Sequence, residues 1–297
     1  MVRCDRCRAA YLDPRPAPAA IGAAYARYFP RAQAAEASEP ASGWREGLRN
    51  GYLNRGYGYS FQPANGLGRF VLPLFPRRRW HAALTIRELP KPARPRLLDV
   101  GFGDASFLRR MQAAGWEVAG LELDPNAVEA ARRVGLEAAH GTLEDAAYEP
   151  DSFDAITLSH VIEHLHDPVA ALEACARLLR PDGVLWLATP NFDSPGHRRF
   201  RRDWFGLDPP RHLVLFNRDV LEQALARAGL ERPTWLRSYR GELVVAGSQA
   251  LAEDRDAATA WTPGTWRLRN LARAFDVAAA LRPEWGEELV AIVRKSA

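Results

Sequence analysis

From Arg96 onward, short apolar runs alternate with stretches whose apolar residues recur every three or four positions. The first pattern predicts buried strands and the second predicts helices with one buried face. RLLDV, 96–100, is the first predicted strand. A helix follows from about Asp104 to Ala114 and stops at Gly115. WEVAGLEL, 116–123, is the second strand. Asp124-Pro125 then marks a helix start, with Asp as N-cap and Pro at the first helical position, and that helix stops near Gly135. LEAAH, 136–140, and FDAITLSH, 153–160, predict two further strands. Asp167-Pro168 repeats the start signal, and Val169, Leu172, Ala176 and Leu179 keep helical spacing. Pro181, Asp182 and Gly183 predict a turn into the strand VLWLATP. Asn217 caps another helix that ends at Gly229; the pattern over 241–285 is helical but weak; EELVAIVRK has strand character suited to a sheet edge.

Strands that alternate with helices build βαβ units. The expectation is an α/β fold with a doubly wound, mostly parallel sheet and an antiparallel edge strand. Residues 1–95 lack the alternation. Pro14, Pro16, Pro18, Pro30 and Pro40 punctuate the first part, and tyrosine and glycine dominate NGYLNRGYGYSF, 50–61. A helix is expected around Trp80 to Leu89, with PKPARP, 90–95, as a linker. This divides the chain into an irregular or helical N-terminal cap region, 1–95, and an α/β domain, 96–297.

Composition changes this picture little. Of 297 residues, 47% are hydrophobic and 26% charged, an ordinary globular balance. No apolar run reaches the length of a membrane span, and MVRCDRCRAAYLDPRP lacks the apolar core of a secretory signal, so a cytoplasmic protein is expected. A net charge of +4 is too small on this length to imply nucleic acid. Two arginine clusters, Arg77-Arg78-Arg79 and Arg198, Arg199, Arg201 and Arg202, read as solvated faces.

The chemistry begins in LLDVGFGDASF, 97–107. A strand that runs into two glycines and then a helix lets backbone approach a ligand, with free N–H groups at the helix start. A dinucleotide fingerprint would carry a third glycine, where this chain has Ser106. Asp99 would meet a pyrophosphate with a carboxylate, but suits a cationic ammonium group. Glu122 ends the second strand, where an acid can accept from both ribose hydroxyls. Asp99 and Ser106 favour S-adenosylmethionine over a nicotinamide dinucleotide.

From Leu97 to Leu230 the chain resembles the class I S-adenosylmethionine-dependent methyltransferases, and within them the branch catalogued as methyltransferase domain 23. The likeness lies in LLDVGFGDASFL, GLELDPNAVEAAR, FDAITLSHVIEHLHDP, LLRPDGVLWLATPN and WFGLDPPRHLVLFN. It implies a Rossmann-like fold for 96–297, with 190–216 as a substrate-cover insertion. It implies that Asp99, Gly101, Phe102 and Gly103 line the methionine part of the cofactor. Glu122 would hold the ribose and Leu123 would pack beside the adenine. Thr142, Leu143 and Glu144 would sit at the adenine edge, with a backbone contact from Leu143 where many relatives have an aspartate. Ser159 and His160 would face the sulfonium.

HVIEH, 160–164, also fits the H-x-x-E-H pattern of inverted zinc proteases, but a strand end and a helix restart leave no room for their long helix. The resemblance leaves Glu163, His164 and Asp167 two roles: holding a divalent metal, as some quinone-biosynthesis relatives do, or fixing the loop. The second is preferred, and no bound metal is expected. His212, in PPRHL, is the expected general base, because imidazole titrates near working pH. Its alternative is to pin the segment with Arg211. His160 is the second expected catalytic residue. Trp204 and Phe205 stand either to pack on a substrate ring or to fill the core.

Cys4 and Cys7 form one C-x-x-C pair, and a zinc ribbon needs two. CDRCRAAYLDPRP resembles the second half of a knuckle found upstream in this branch; its first half lies before the recorded start or has been lost. The expected activity is methyl transfer from S-adenosylmethionine to a small molecule, with oxygen as acceptor. A sugar or sugar nucleotide is the first acceptor class and a quinone or phenolic compound the second. The rivals are an NAD-dependent oxidoreductase and a cofactor-binding scaffold without turnover. No nucleic acid partner and no integral membrane segment are expected, and the sequence leaves the oligomeric state open.

Overall fold

Every expected strand between 96 and 190 forms, because each is an apolar run bounded by a capped helix or a glycine turn. In the structure, a computed structural model, residues 1–21, 43–93, 95–257 and 264–295 are described. The strands are β1 (Val2–Arg3), β2 (Ala10–Tyr11), β3 (Arg96–Val100), β4 (Glu117–Glu122), β5 (Glu137–His140), β6 (Phe153–Ser159), β7 (Leu179–Pro190), β8 (Val214–Leu215), β9 (Thr234–Leu236) and β10 (Glu288–Arg294). The main helices are α1 (Trp44–Tyr57), α2 (Pro76–Leu84), α3 (Ser106–Ala113), α4 (Pro125–Arg133), α5 (Pro168–Leu178), α6 (Pro195–Phe200), α7 (Arg218–Arg227), α8 (Gly241–Ala252) and α9 (Trp266–Leu281).

Seven strands form one sheet in the order β5-β4-β3-β6-β7-β10-β9. β3 pairs in parallel with both β4 and β6, and β4 pairs in parallel with β5. β9 and β10 are antiparallel, with Val290 opposite Leu236 and Ile292 opposite Thr234. The sheet is thus the expected Rossmann-like, mostly parallel arrangement with an antiparallel edge. One detail differs: β10, expected as the edge, lies inside, with β9 outside it. Leu289, Val290, Ala291 and Val293 are all buried, which an interior position requires.

The chain divides into two units. The first, here the histidine unit, holds Met1–Tyr25, Ser159–Glu173 and Leu187–Arg294. The second, here the glycine-turn unit, holds Ala26–Leu158, Ala174–Trp186 and Lys295–Ala297. Neither has an edge at the expected boundary between 95 and 96.

The sequence signals set the local boundaries in the glycine-turn unit. The Asp124 side chain accepts from Asn126 N at 2.9 Å and starts α4. Gly135 closes it with φ +80°. Leu97, Leu98, Leu108, Met111, Leu121 and Phe153 are fully buried and form much of this unit's core.

Residues 1–95 contain more regular structure than the sequence suggested. The 14-residue α1 was hidden because Gly47, Gly51 and Gly56 lower helix propensity. One of the glycines is a packing site. A Cβ on Gly51 would lie 1.9 Å from Asn65 O, so only glycine lets the loop rest on the helix. α2 begins at Pro76, ahead of the expected Trp80, and ends before Arg87 and Glu88, both at positive φ. Pro30, Pro40, part of the linker PKPARP and 258–263 of the expected helical region lie outside the described residues. Further on, β7 runs through Pro181–Gly183 instead of starting after it. Asp182 takes φ +65° and bends the strand, while Lys295 N still donates to Gly183 O at 3.2 Å.

In the histidine unit, Asn217 caps α7 by accepting from Val220 N at 2.9 Å. Ala10, Phe192, Phe200, Trp204, Leu215, Val244, Val245, Ala272 and Phe275 form its buried cluster. β1, β2 and β8 make a second, three-stranded sheet. Ala10 stands opposite Leu215 and Tyr11 opposite Val214. The Cys4–Cys7 turn is the bend of that hairpin, closed by Arg8 N donating to Cys4 O at 2.8 Å, and both cysteines are free thiols.

Candidate active site

β3 ends at Val100 and the chain turns through Gly101 at φ +68° and Gly103 at φ +58°. Left-handed backbone of this kind favours glycine. A Cβ on Gly103 would meet nothing within 4 Å, so the turn borders open space. The Phe102 ring points the other way. It is buried against Gly120, where a Cβ would lie 2.5 Å from Phe102 Cδ1. Only the backbone of Phe102 belongs to the turn.

Glu122, the last residue of β4, ties this turn to the next. Its Oε2 accepts from Gly103 N at 3.0 Å, while Oε1 accepts from Leu123 N at 2.7 Å and Asp124 N at 3.2 Å. Each carboxylate oxygen can accept more than one bond, so capacity remains for a ligand hydroxyl. Leu123 is 53% exposed beside it. Leu143 is buried and Glu144 exposed, while Thr142 Oγ1 donates to Asp145 Oδ2 at 2.9 Å.

Asp99 is fully buried. Its Oδ1 pairs with the Arg87 guanidinium and accepts from Thr157 Oγ1 at 2.8 Å. Its Oδ2 is buried without a partner. Arg87 also donates to Thr157 Oγ1 at 2.6 Å and lies 3.7 Å above the Phe107 ring. One face of Asp99 is therefore neutralised from within, and one oxygen remains for a cationic donor. Arg87 was invisible in the sequence, where it is one arginine in the run LTIREL.

These features fit S-adenosylmethionine: an orphaned acidic oxygen for an ammonium group, open space beside Gly103, and an acid at the end of β4 with an acceptor site left for a ribose hydroxyl. All lie in the glycine-turn unit.

The histidine unit carries a second constellation. Ser159 ends β6 half-buried, and His160 follows at φ +55°. The His160 ring stands between two acids, with Nδ1 3.1 Å from Glu163 Oε1 and Nε2 3.1 Å from Glu288 Oε1. Burial alone would push this imidazole down, but Glu288 and Glu163 outweigh it and raise its pKa to about 10. Burial would raise both acids; the His160 contact for Glu163, and Arg240 with His160 for Glu288, lower each to about 2. Thr189 Oγ1 donates to Glu163 Oε2 at 3.0 Å and Ser238 Oγ to Glu288 Oε2 at 2.9 Å. With both ring nitrogens donating to carboxylates, His160 is a fixed cation with no lone pair to accept a proton. Sequence reasoning missed Glu288; its signal was two adjacent acids opening an otherwise apolar strand.

His212 is different. Its Nδ1 donates to Gly206 O at 2.8 Å, which fixes the tautomer and leaves the Nε2 lone pair free. Nε2 lies 4.0 Å from Glu163 Oε1 and 3.8 Å from Asp208 Oδ2, beyond hydrogen-bonding distance. Burial pushes its pKa down, ahead of the opposing pull of Glu163. His164 packs edge-on at 4.7 Å between ring centroids, its Nδ1 bonded to Arg211 O at 3.0 Å. Among the described residues, Glu163, His164 and His212 form a group whose ligand atoms lie within 4.8 Å of one another. Asp167 is not part of it; its Oδ1 accepts from Ala170 N at 3.0 Å and starts α5.

Within 190–216, Trp204 is buried in the core cluster, which decides its role as packing. A Cβ on Gly206 would lie 2.5 Å from its ring. Phe205 is half-buried, its N–H donating to Ser248 Oγ at 3.0 Å. Arg198, Arg199, Arg201 and Arg202 are exposed, as expected.

A family model described as a methyltransferase domain matches residues 75–232, just over half of the chain. A ubiquinone biosynthesis O-methyltransferase of Xanthomonas oryzae pv. oryzae is 42% identical over 103 residues, 32% of this chain and 43% of that protein. One of Xanthomonas axonopodis pv. citri is 40% identical over 108 residues, 34% of this chain and 45% of that protein. The chain thus matches less than half the length of these curated relatives. Among solved structures, a chain from the complex between the Haloferax volcanii Trm112 methyltransferase activator and a methyltransferase aligns with a TM-score of 0.52. It is 18% identical and covers 76% of this chain and 93% of its own, a likeness of fold.

Proposed function

The chain belongs to the methyltransferase domain family, and from that membership we propose that it moves a methyl group from S-adenosylmethionine to a hydroxyl oxygen of a small phenolic acceptor. Glu122 carries the cofactor part of this reading, because its carboxylate joins the glycine turn to the start of α4 and has capacity left for a ribose hydroxyl. When bound, the cofactor supplies a methyl group on a positively charged sulfur. Asp99 Oδ2 receives the ammonium group, the Gly101–Gly103 turn gives it room, and Leu123 covers the adenine with the Leu143–Glu144 backbone at its edge.

The acceptor must lose a proton as its oxygen attacks. His212 takes that proton on Nε2, its ring held by the Gly206 carbonyl. His160 has a positioning role, and Ser159, at the end of β6, keeps its expected place facing the sulfonium. The His160 cation holds Glu163 and Glu288 in place, and Glu163 O accepts from Leu213 N at 2.7 Å, beside the base.

A phenolic acceptor is preferred to the sugar expected first. A phenol ionises near 10, much closer to a neutral imidazole than an aliphatic alcohol does. The names of the curated relatives also favour it, although they match only a third of this chain.

The test is a transfer assay with isotope-labelled S-adenosylmethionine against catechol-type phenols and against nucleotide sugars, beside cofactor calorimetry. Labelled phenols with unlabelled sugars support the reading. Labelled sugars alone would refute the acceptor class. Micromolar cofactor binding with no labelled acceptor would leave a scaffold, and binding of NAD alone would refute the methyltransferase reading.

A further inference from the structure

Residues 67–79 hold four arginines and no aspartate or glutamate, and the exposed Arg55 lines one hollow with Leu67, Arg69 and Phe70. Within 67–79, large apolar side chains face outward. Leu67 is 61% exposed, Phe70 59% and Leu74 74%, and Phe75 is exposed as well. Exposed apolar side chains crowded on so short a segment are unusual in a soluble protein and mark an interaction surface.

The segment is held from below. Asn50 Nδ2 donates to Pro63 O at 2.9 Å and Asn54 Nδ2 to Phe61 O at 3.0 Å. Asn65 N donates to Gly47 O at 2.8 Å. A Cβ on Gly68 would lie 1.8 Å from Leu48 O, so the turn is locked against α1. The chain holds these apolar groups outward at the cost of two obligatory glycine contacts.

Arginine accompanies the aromatics. The Arg69 guanidinium lies 4.2 Å from the Phe70 ring centroid and that of Arg78 lies 5.4 Å from the Phe75 ring. A hollow of about 430 Å³ opens at the foot of the row, lined by Gly51, Arg55, Asn65, Gly66, Leu67, Arg69 and Phe70. It has two guanidinium groups, amide groups and no acid.

We propose that residues 67–78 dock this protein onto an anionic lipid bilayer, with Leu67, Phe70, Leu74 and Phe75 in the acyl boundary and a lipid phosphate against Arg55 and Arg69. Exposed apolar side chains close in sequence and flanked by cations are the pattern of interfacial binding. A bilayer needs no match in shape, and the exposed arginines beside these side chains complement its anionic headgroups. Cations beside the surface attract anionic headgroups, about fivefold in partitioning per arginine. This inference is independent of the chemistry proposed above.

The test is co-sedimentation of the full chain with phosphatidylcholine vesicles, with and without about 30% phosphatidylglycerol, at low and high salt. Wild-type protein is expected to sediment with the anionic vesicles, weakly with the neutral ones, and less at high salt. Leu74→Ser with Phe75→Ser, and separately Arg69→Gln with Arg78→Gln, should each lower partitioning at least tenfold. Their melting midpoints should stay at the wild-type value, since all four side chains are exposed. No sedimentation, equal binding to both vesicle types, or variants that bind like wild type would overturn the proposal. So would a lipid-free dimer that the apolar variant abolishes, because a second copy would then cover the row.

Discussion

Arg87 and Asp99 form an ion pair in which the carboxylate is fully buried and the guanidinium nearly so. Thr157 bonds to both partners, and Phe107 closes the guanidinium face. Removal of one partner leaves a buried charge uncompensated, which costs about 3–5 kcal/mol. Arg87→Ala should therefore lower unfolding stability by about that amount, and Arg87→Met with Asp99→Asn by much less. Chemical denaturation of the two variants checks this.

Glu122 accepts from three backbone N–H groups across two turns. Glu122→Ala loses the ribose acceptor and loosens the glycine turn. S-adenosylmethionine affinity should fall by about 1–3 kcal/mol, the cost of unmet hydrogen-bonding groups. Calorimetry with S-adenosylhomocysteine would show the same loss, because the ribose is common to both.

The acid–histidine–acid row predicts a stability profile with two flanks. His160 is raised to about 10 when folded, so its contribution is complete below about 6.5 and is lost as pH rises through 10. Glu163 and Glu288 are lowered to about 2, so theirs is complete above about 4.5 and is lost as pH falls towards 2. The melting midpoint should be highest between these limits. In His160→Gln the alkaline decline should flatten, and a decline identical to wild type would refute the assignment.

His212 has its imidazole pKa pushed down by burial, so its neutral form persists below the usual range. The acid limb of the turnover profile should lie below about pH 6.5, and His212→Gln should remove that limb. Turnover in His212→Gln should fall about 10²–10⁴-fold, with cofactor affinity unchanged. A variant that loses affinity equally would show that the residue only braces the segment.

Much of this was legible before any coordinates. β3 to β6 and the helices between them followed from apolar runs and from Asp124-Pro125 and Asp167-Pro168, whose effects are local. Glu122 was legible because a strand end fixes where its side chain stands. α1 was not, since its glycines lower propensity and its stability comes from the loop packed on it. Arg87 and Glu288 were missed for a related reason. Their partners lie 12 and 128 residues away, and no periodicity encodes such a meeting. His160 was legible as a residue of the site but not as a cation, because its charge depends on Glu288.

The pairing of β2 with β8 reaches across most of the chain. Leu12 N donates to Leu213 O at 2.9 Å, one residue beyond His212, and Ala10 stands opposite Leu215. During synthesis this joint closes only after more than two hundred further residues have emerged, so the opening hairpin waits unpaired for its strand. Loss of residues 1–12 would keep the glycine turn, Glu122 and His212 itself, and would remove the strand that braces the segment beside His212. Changes within residues 1–12 therefore bear on His212, although Cys4 and His212 stand far apart in the written sequence.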